Sequence, residues 1–98
     1  MINIQTELNT LSDALTSVLR DVIKSKGLVD TGKLYDSIQV IPRYTNSKLS
    51  LDIEAEDYFE YVDKANGIMD AAMRSSKWDN AIENAMFKII SKEIEDKI

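Results

Sequence analysis

Ile38-Gln39-Val40-Ile41-Pro42-Arg43-Tyr44, then Leu49-Ser50-Leu51-Asp52-Ile53-Glu54-Ala55-Glu56, are the stretches whose reading decides the fold. The first is rich in β-branched and aromatic residues, which suit a pleated strand. Pro42 within it lacks an amide donor and therefore marks an edge strand or a bulge. The second alternates strictly, with Leu49, Leu51, Ile53 and Ala55 on one side and Ser50, Asp52, Glu54 and Glu56 on the other. That is the period of a half-buried strand. Thr45-Asn46-Ser47-Lys48 between them supplies turn residues. The pair reads as an antiparallel hairpin, and a lone hairpin is marginal in water, so it must pack on helices or gain another strand.

Before the hairpin, residues 4–26 carry Ile4, Leu8, Leu11, Leu15, Val18 and Val22 at alternating gaps of four and three, widened by Leu19 and Ile23. This spacing predicts an amphipathic helix. Asn3 or Thr6 is placed to cap its start, Lys24 and Lys26 suit its negative end, and Gly27 is placed to close it. Residues 28–36 form a connection in which Asp30 or Thr31 caps a single helical turn before Ser37.

After the hairpin, residues 57–64 have two readings. Alternation makes them a third strand, and the Phe59/Val62 spacing makes them a helical turn. Asn66-Gly67 signals a turn. Ile68, Met69, Ala72 and Met73 follow as a short helix or an ordered loop. The methionines there, with Met86, are core or an adaptable contact surface. Ser76-Lys77-Trp78-Asp79 resembles a capping box with Asp in the place of Glu. Trp78, Ile82, Ala85, Met86, Ile89 and Ile90, with Ile94 further on, then mark one face of a helix from 77 to about 96. The expectation is one α+β domain, 1–98, with an N-terminal amphipathic helix, a hairpin and a long C-terminal helix packed on the sheet.

Composition narrows the chemistry. The 98 residues contain no cysteine and no histidine. Disulfides, thiolate metal sites and the commonest general base are therefore excluded. The net charge is −5, with no run of Lys or Arg, which opposes binding to a phosphate backbone. Residues 1–7 lack the basic and apolar regions of a signal peptide, and no apolar run approaches the roughly 20 residues that span a bilayer. No membrane association and no cofactor are expected.

Gly27-Leu28-Val29-Asp30-Thr31-Gly32-Lys33 matches the opening of a phosphate-binding loop, but Leu34 stands where Ser or Thr must hold magnesium. It also follows a helix rather than a strand, and a helix cap with a turn accounts for the same glycines. Asp52, Glu54, Glu56, Asp57, Glu60 and Asp63 crowd residues 52–63 without a base among them. Three readings stand: a solvated strand face, an acidic surface turned toward DNA without binding it, and a divalent-cation site. Trp78, Tyr58, Phe59 and Tyr61 lack the interleaved basic residues of a base-stacking surface, and read as core and interface packing. Ser25/Lys24 and Ser76/Lys77 are sequence neighbours that do not face each other on a helix, so no nucleophile is assigned.

Val29-Asp30-Thr31-Gly32-Lys33-Leu34-Tyr35-Asp36-Ser37-Ile38, followed after the hairpin by Tyr58-Phe59-Glu60-Tyr61-Val62-Asp63, resembles the small neck or tail-completion proteins of long-tailed bacteriophages. The order of elements fits along nearly the whole chain. The resemblance implies a non-enzymatic virion protein, made in the bacterial cytoplasm, that forms a homo-oligomeric ring around the DNA channel at the head–tail junction. Connector-side and tail-side phage proteins would be its partners, and DNA would pass through without sequence-specific binding. The motif residues Asp30, Thr31, Gly32, Leu34, Ser37, Ile38, Tyr58, Tyr61 and Val62 would shape the turn into the hairpin or meet neighbours. Asp52, Glu54 and Glu56 would face the channel as an acidic stripe. A tail-terminator role stands beside this reading, as does a small acidic inhibitor that mimics DNA.

Overall fold

The computed structural model describes residues 4–28 and 32–97. Seven elements follow one another: α1 (Gln5–Ser25), α2 (Gly32–Ser37), β1 (Gln39–Thr45), β2 (Lys48–Glu54), α3 (Phe59–Asn66), α4 (Ile68–Arg74) and α5 (Ser76–Lys97). The architecture is α+β, with one two-stranded antiparallel sheet. No helix among the described residues is long and apolar enough to cross a membrane.

The stripe read along residues 4–26 forms α1 and buries Leu11, Leu15, Val18, Leu19 and Ile23. This helix is the spine of the fold, since β1, α2, α4 and α5 all pack on it. Its first turn has no side-chain cap and begins after Ile4, so Thr6 lies inside the helix; Asn3 is outside the described residues. Its end closes as expected. Gly27 adopts φ +71°, its N–H donates to the Lys24 carbonyl, and the Leu28 N–H donates to Ile23 at 3.0 Å. These two bonds satisfy carbonyls that the helix leaves unpaired, and a left-handed residue is what permits them. Leu28 then packs on the core.

The expected hairpin forms, with a register that runs from Gln39↔Glu54 to Thr45↔Lys48. Asn46 and Ser47 make its two-residue turn at φ +54° and +60°. Positive φ at both centres matches the right-handed twist of the strands. Pro42 pairs with Leu51 without a bulge.

Residues 57–64 do not add a third strand. Phe59–Asn66 is helical, with Tyr58, Phe59 and Val62 packed against the core. A helix serves these residues because the apolar positions lie three and four apart on one face. Gly67 at φ +65° ends α3 and starts α4, while the Asp63 carboxylate accepts the Met69 N–H at 2.8 Å. The start of α5 is one residue earlier than the capping box placed it. Ser75, in extended conformation, accepts the Lys77 N–H on its hydroxyl at 3.2 Å and the Trp78 N–H on its carbonyl. Ser76 is therefore the first helical residue. The main support of α5 is α1, with α4 beside it; it meets the hairpin where the Tyr44 hydroxyl donates to Glu93.

Candidate functional site

The family-motif residues divide between core and surface. Leu34 and Ile38 are fully buried, and Tyr58 and Val62 pack against the same apolar cluster. The Ser37 hydroxyl joins the two halves: it donates to the Leu34 carbonyl and accepts the Glu56 N–H at 3.3 Å. Gly32 opens α2, and Asp30 and Thr31 lie outside the described residues. Among the described motif residues Gly32 and Tyr61 are exposed, Tyr61 at 79%. Sequence reading did not single out Arg20, which holds α2 in place. Its guanidinium donates to the carbonyls of Tyr35 and Asp36 at 3.0 and 3.4 Å and lies 5.7 Å from the Tyr35 ring centre. A cation at the last carbonyls of a helix is favourable on both counts.

The acidic stripe is shorter than its spacing suggested. Asp52 and Glu54 lie on the exposed face of β2. Glu56 lies past the end of the strand and is half-buried. Asp52 pairs diagonally with Arg43 of β1, Nε to Oδ2 at 3.0 Å, so part of its charge is offset. Among the described residues no three acids converge to hold a metal ion.

The two edges of the sheet differ. A two-residue hairpin closes on a hydrogen-bonded pair, here Thr45↔Lys48, and pair types then alternate along the ladder. The backbone groups of Val40 and Pro42 therefore point away from β2. The Val40 N–H is taken by the Thr16 hydroxyl at 3.0 Å, and its carbonyl by the Ser12 hydroxyl at 2.6 Å. Pro42 has no N–H to offer. That edge is closed at Val40 and lacks a donor at Pro42; at Tyr44, beside the turn, the outward backbone groups have no partner among the described residues. By the same alternation the groups of Leu49, Leu51 and Ile53 point outward from β2. Among the described residues none of them has a hydrogen-bond partner, and the substantial packing of β2 is with β1 alone. That edge is open.

The second uncovered surface is on α5. Trp78, Ala85 and Ile89 are buried. Phe87, Ile90 and Ile94 are 74%, 46% and 56% exposed. At 3.6 residues per turn their stripe lies roughly 150° around the helix from the buried face. Sequence reading placed Ile90 and Ile94 on the buried face and passed over Phe87; the 87/90/94 spacing was the available signal. Two polar contacts tie α5 down on its other sides. Lys92 Nζ lies 2.7 Å from Glu7 Oε1, where Glu7 is only 9% exposed and its Oε2 is buried without a partner. The hydrogen bond from Lys92 holds the Glu7 carboxyl below its usual range, outweighing the opposing effect of burial. At the hairpin, the bond to Glu93 raises the Tyr44 hydroxyl above its usual range.

What this arrangement offers is contact surface: an open strand edge, an apolar helix stripe and an exposed hairpin face on which Asp52 and Glu54 lie beside Arg43 and Lys48. Comparison with protein-family models, with curated proteins and with solved structures found no match.

Proposed function

We propose that this chain is a non-enzymatic structural subunit that assembles with copies of itself and with neighbouring proteins. We place it at the head–tail junction of a long-tailed bacteriophage, as a ring around the DNA channel. The observation that carries the assembly reading is the stripe of Phe87, Ile90 and Ile94, exposed along the last turns of the longest helix. Contiguous apolar residues on a folded surface mark contacts with other proteins. Burying such side chains in a neighbour contributes about 1.5–3 kcal/mol each for full burial, before the cost of association.

The placement at the neck rests on the motif. Its apolar members Leu34, Ile38, Tyr58 and Val62 join one core around the hairpin, so the motif preserves a shape rather than a reaction. On the hairpin face Asp52 is offset by Arg43 and Lys48 lies on the same side as Glu54, so the repulsion of phosphate implied by an acidic stripe is weak there. Among the described motif residues, Tyr61 offers an exposed large side chain to a neighbour.

Purified particles of the phage that encodes the chain provide the test. Mass spectrometry should find it at a fixed ring copy number, and Phe87→Asp with Ile94→Asp should give folded protein that no longer enters particles. Folded protein absent from wild-type particles refutes the neck placement. A monomer in solution that is also absent from particles favours the small acidic inhibitor. Recovery with isolated tails rather than necks favours a tail terminator.

A further inference from the structure

We infer that β2 is a self-pairing edge: two copies of the chain join β2 to β2 in antiparallel register across a two-fold axis at Leu51, making a four-stranded sheet. This goes beyond the ring reading, because pairing across a two-fold axis is a property of the free chain and uses a different surface from the α5 stripe.

Three observations lead there. The first is the open edge. An exposed edge is a template for another strand, and proteins normally blunt it with proline, charge or a covering element. On β1 this is done by Pro42 and by the hydroxyls of Ser12 and Thr16, whereas β2 carries charge alone, at Lys48, Asp52 and Glu54. A head-to-tail sheet, β2 against the next copy's β1, would meet the Val40 groups already bonded to α1 and no N–H at Pro42, and is disfavoured. The strand that a second copy has free is its own β2.

The second observation is the register that pairing would adopt. Leu49, Leu51 and Ile53 carry the outward backbone groups, so they must face one another as the hydrogen-bonded pairs. Centring on Leu51 overlaps the whole strand and sets Leu49 opposite Ile53 and Leu51 opposite Leu51. These three side chains are half-buried on the inner face, and pairing extends that apolar face into the second copy.

The third observation is charge. In the same register the outer face sets Lys48 of one copy opposite Glu54 of the other, twice by symmetry, and Ser50 opposite Asp52. These are the non-hydrogen-bonded pairs, where side chains come closest. Moving the axis one residue to Asp52 sets Asp52 opposite itself, and moving it to Ser50 sets Lys48 opposite Asp52 but leaves Ile53 and Glu54 against the turn residues Ser47 and Asn46. Like charge thus disfavours one neighbouring register and lost strand overlap the other, which leaves the register centred on Leu51.

Sedimentation of the full chain over a concentration series tests this. Wild type should form a dimer. Lys48→Glu alone and Glu54→Lys alone place like charges opposite each other, and each should weaken the dimer roughly ten-fold. An equimolar mixture of the two variants should recover near wild-type affinity, because each supplies the charge the other lacks. Both positions are exposed, and circular dichroism checks that both variants fold. Hydrogen exchange adds a second reading: the amides of Leu49, Leu51 and Ile53 should slow as concentration rises, while those of Ser50 and Asp52 stay unchanged. A monomer at the highest soluble concentration overturns the inference and leaves the edge for a strand of another protein. A dimer insensitive to both charge reversals overturns it as well, and places self-association elsewhere. Neither result depends on whether the chain is found in particles.

Discussion

The two long helices are nearly equal in length, 21 and 22 residues, and both repeat apolar residues at helical spacing. Their fates differ. α1 buries five aliphatic residues on one face and receives β1, α2, α4 and α5 around it. α5 buries Trp78, Ala85 and Ile89 on one side and leaves Phe87, Ile90 and Ile94 to solvent on the other. Periodicity states that a helix has an apolar face. It does not count how many faces have neighbours. A helix at the centre of a small fold is covered because other elements need it, whereas a peripheral helix keeps whatever its own chain cannot reach.

The largest effect separating the helices should come from Trp78, 4% exposed where α5 joins the core. Trp78→Ala should cost about 3–5 kcal/mol in denaturant unfolding, a large share of a small domain's stability. A melting temperature within a degree or two of wild type would show that α5 is held by something other than this core.

A smaller effect concerns the Glu7–Lys92 clamp between the two helices. The folded state holds the Glu7 carboxyl below its ordinary range, so its contribution is present above that range and is lost as pH falls through the folded value. Wild type should lose stability on acidification below the ordinary glutamate range, and Glu7→Gln should show a shallower loss there. Equal acid profiles from thermal melts would assign the pH dependence to other carboxylates.

The smallest effect should be at Phe87, 74% exposed. Phe87→Ala should change monomer stability by less than about 0.5 kcal/mol, as surface substitutions do. A cost of several kcal/mol would mean that the α5 stripe is covered in the free protein.

Much of the fold was legible in the residues because it is local. Alternation at 49–55 behind turn residues at 45–48 defines a hairpin, while its register and the two-residue turn at Asn46-Ser47 came with the structure. The gaps along 4–26 define α1, and Gly27 defines its end. What was not legible depended on neighbours. Residues 57–64 fit either a strand or a helix by pattern, and the core beside Tyr58, Phe59 and Val62 decided for the helix. Ser75 and Ser76 are chemically identical caps, and the backbone bend at Ser75 chose between them.

By itself, then, the sequence determined the α+β class, the hairpin, the long helices and the absence of histidine and cysteine chemistry, since each follows from residue type and short-range spacing. Only the tertiary structure decided which surfaces remain uncovered. Ser12 and Thr16 are unremarkable hydroxyls on α1 until Val40 arrives 28 and 24 residues later in the chain to accept and donate to them. That meeting closes one edge of the sheet at Val40, and α5 settles on α1 rather than over the hairpin, so the edge at Leu49, Leu51 and Ile53 stays open. Exposure is a property of the whole packing arrangement, because a surface is what remains after every other element has taken its place.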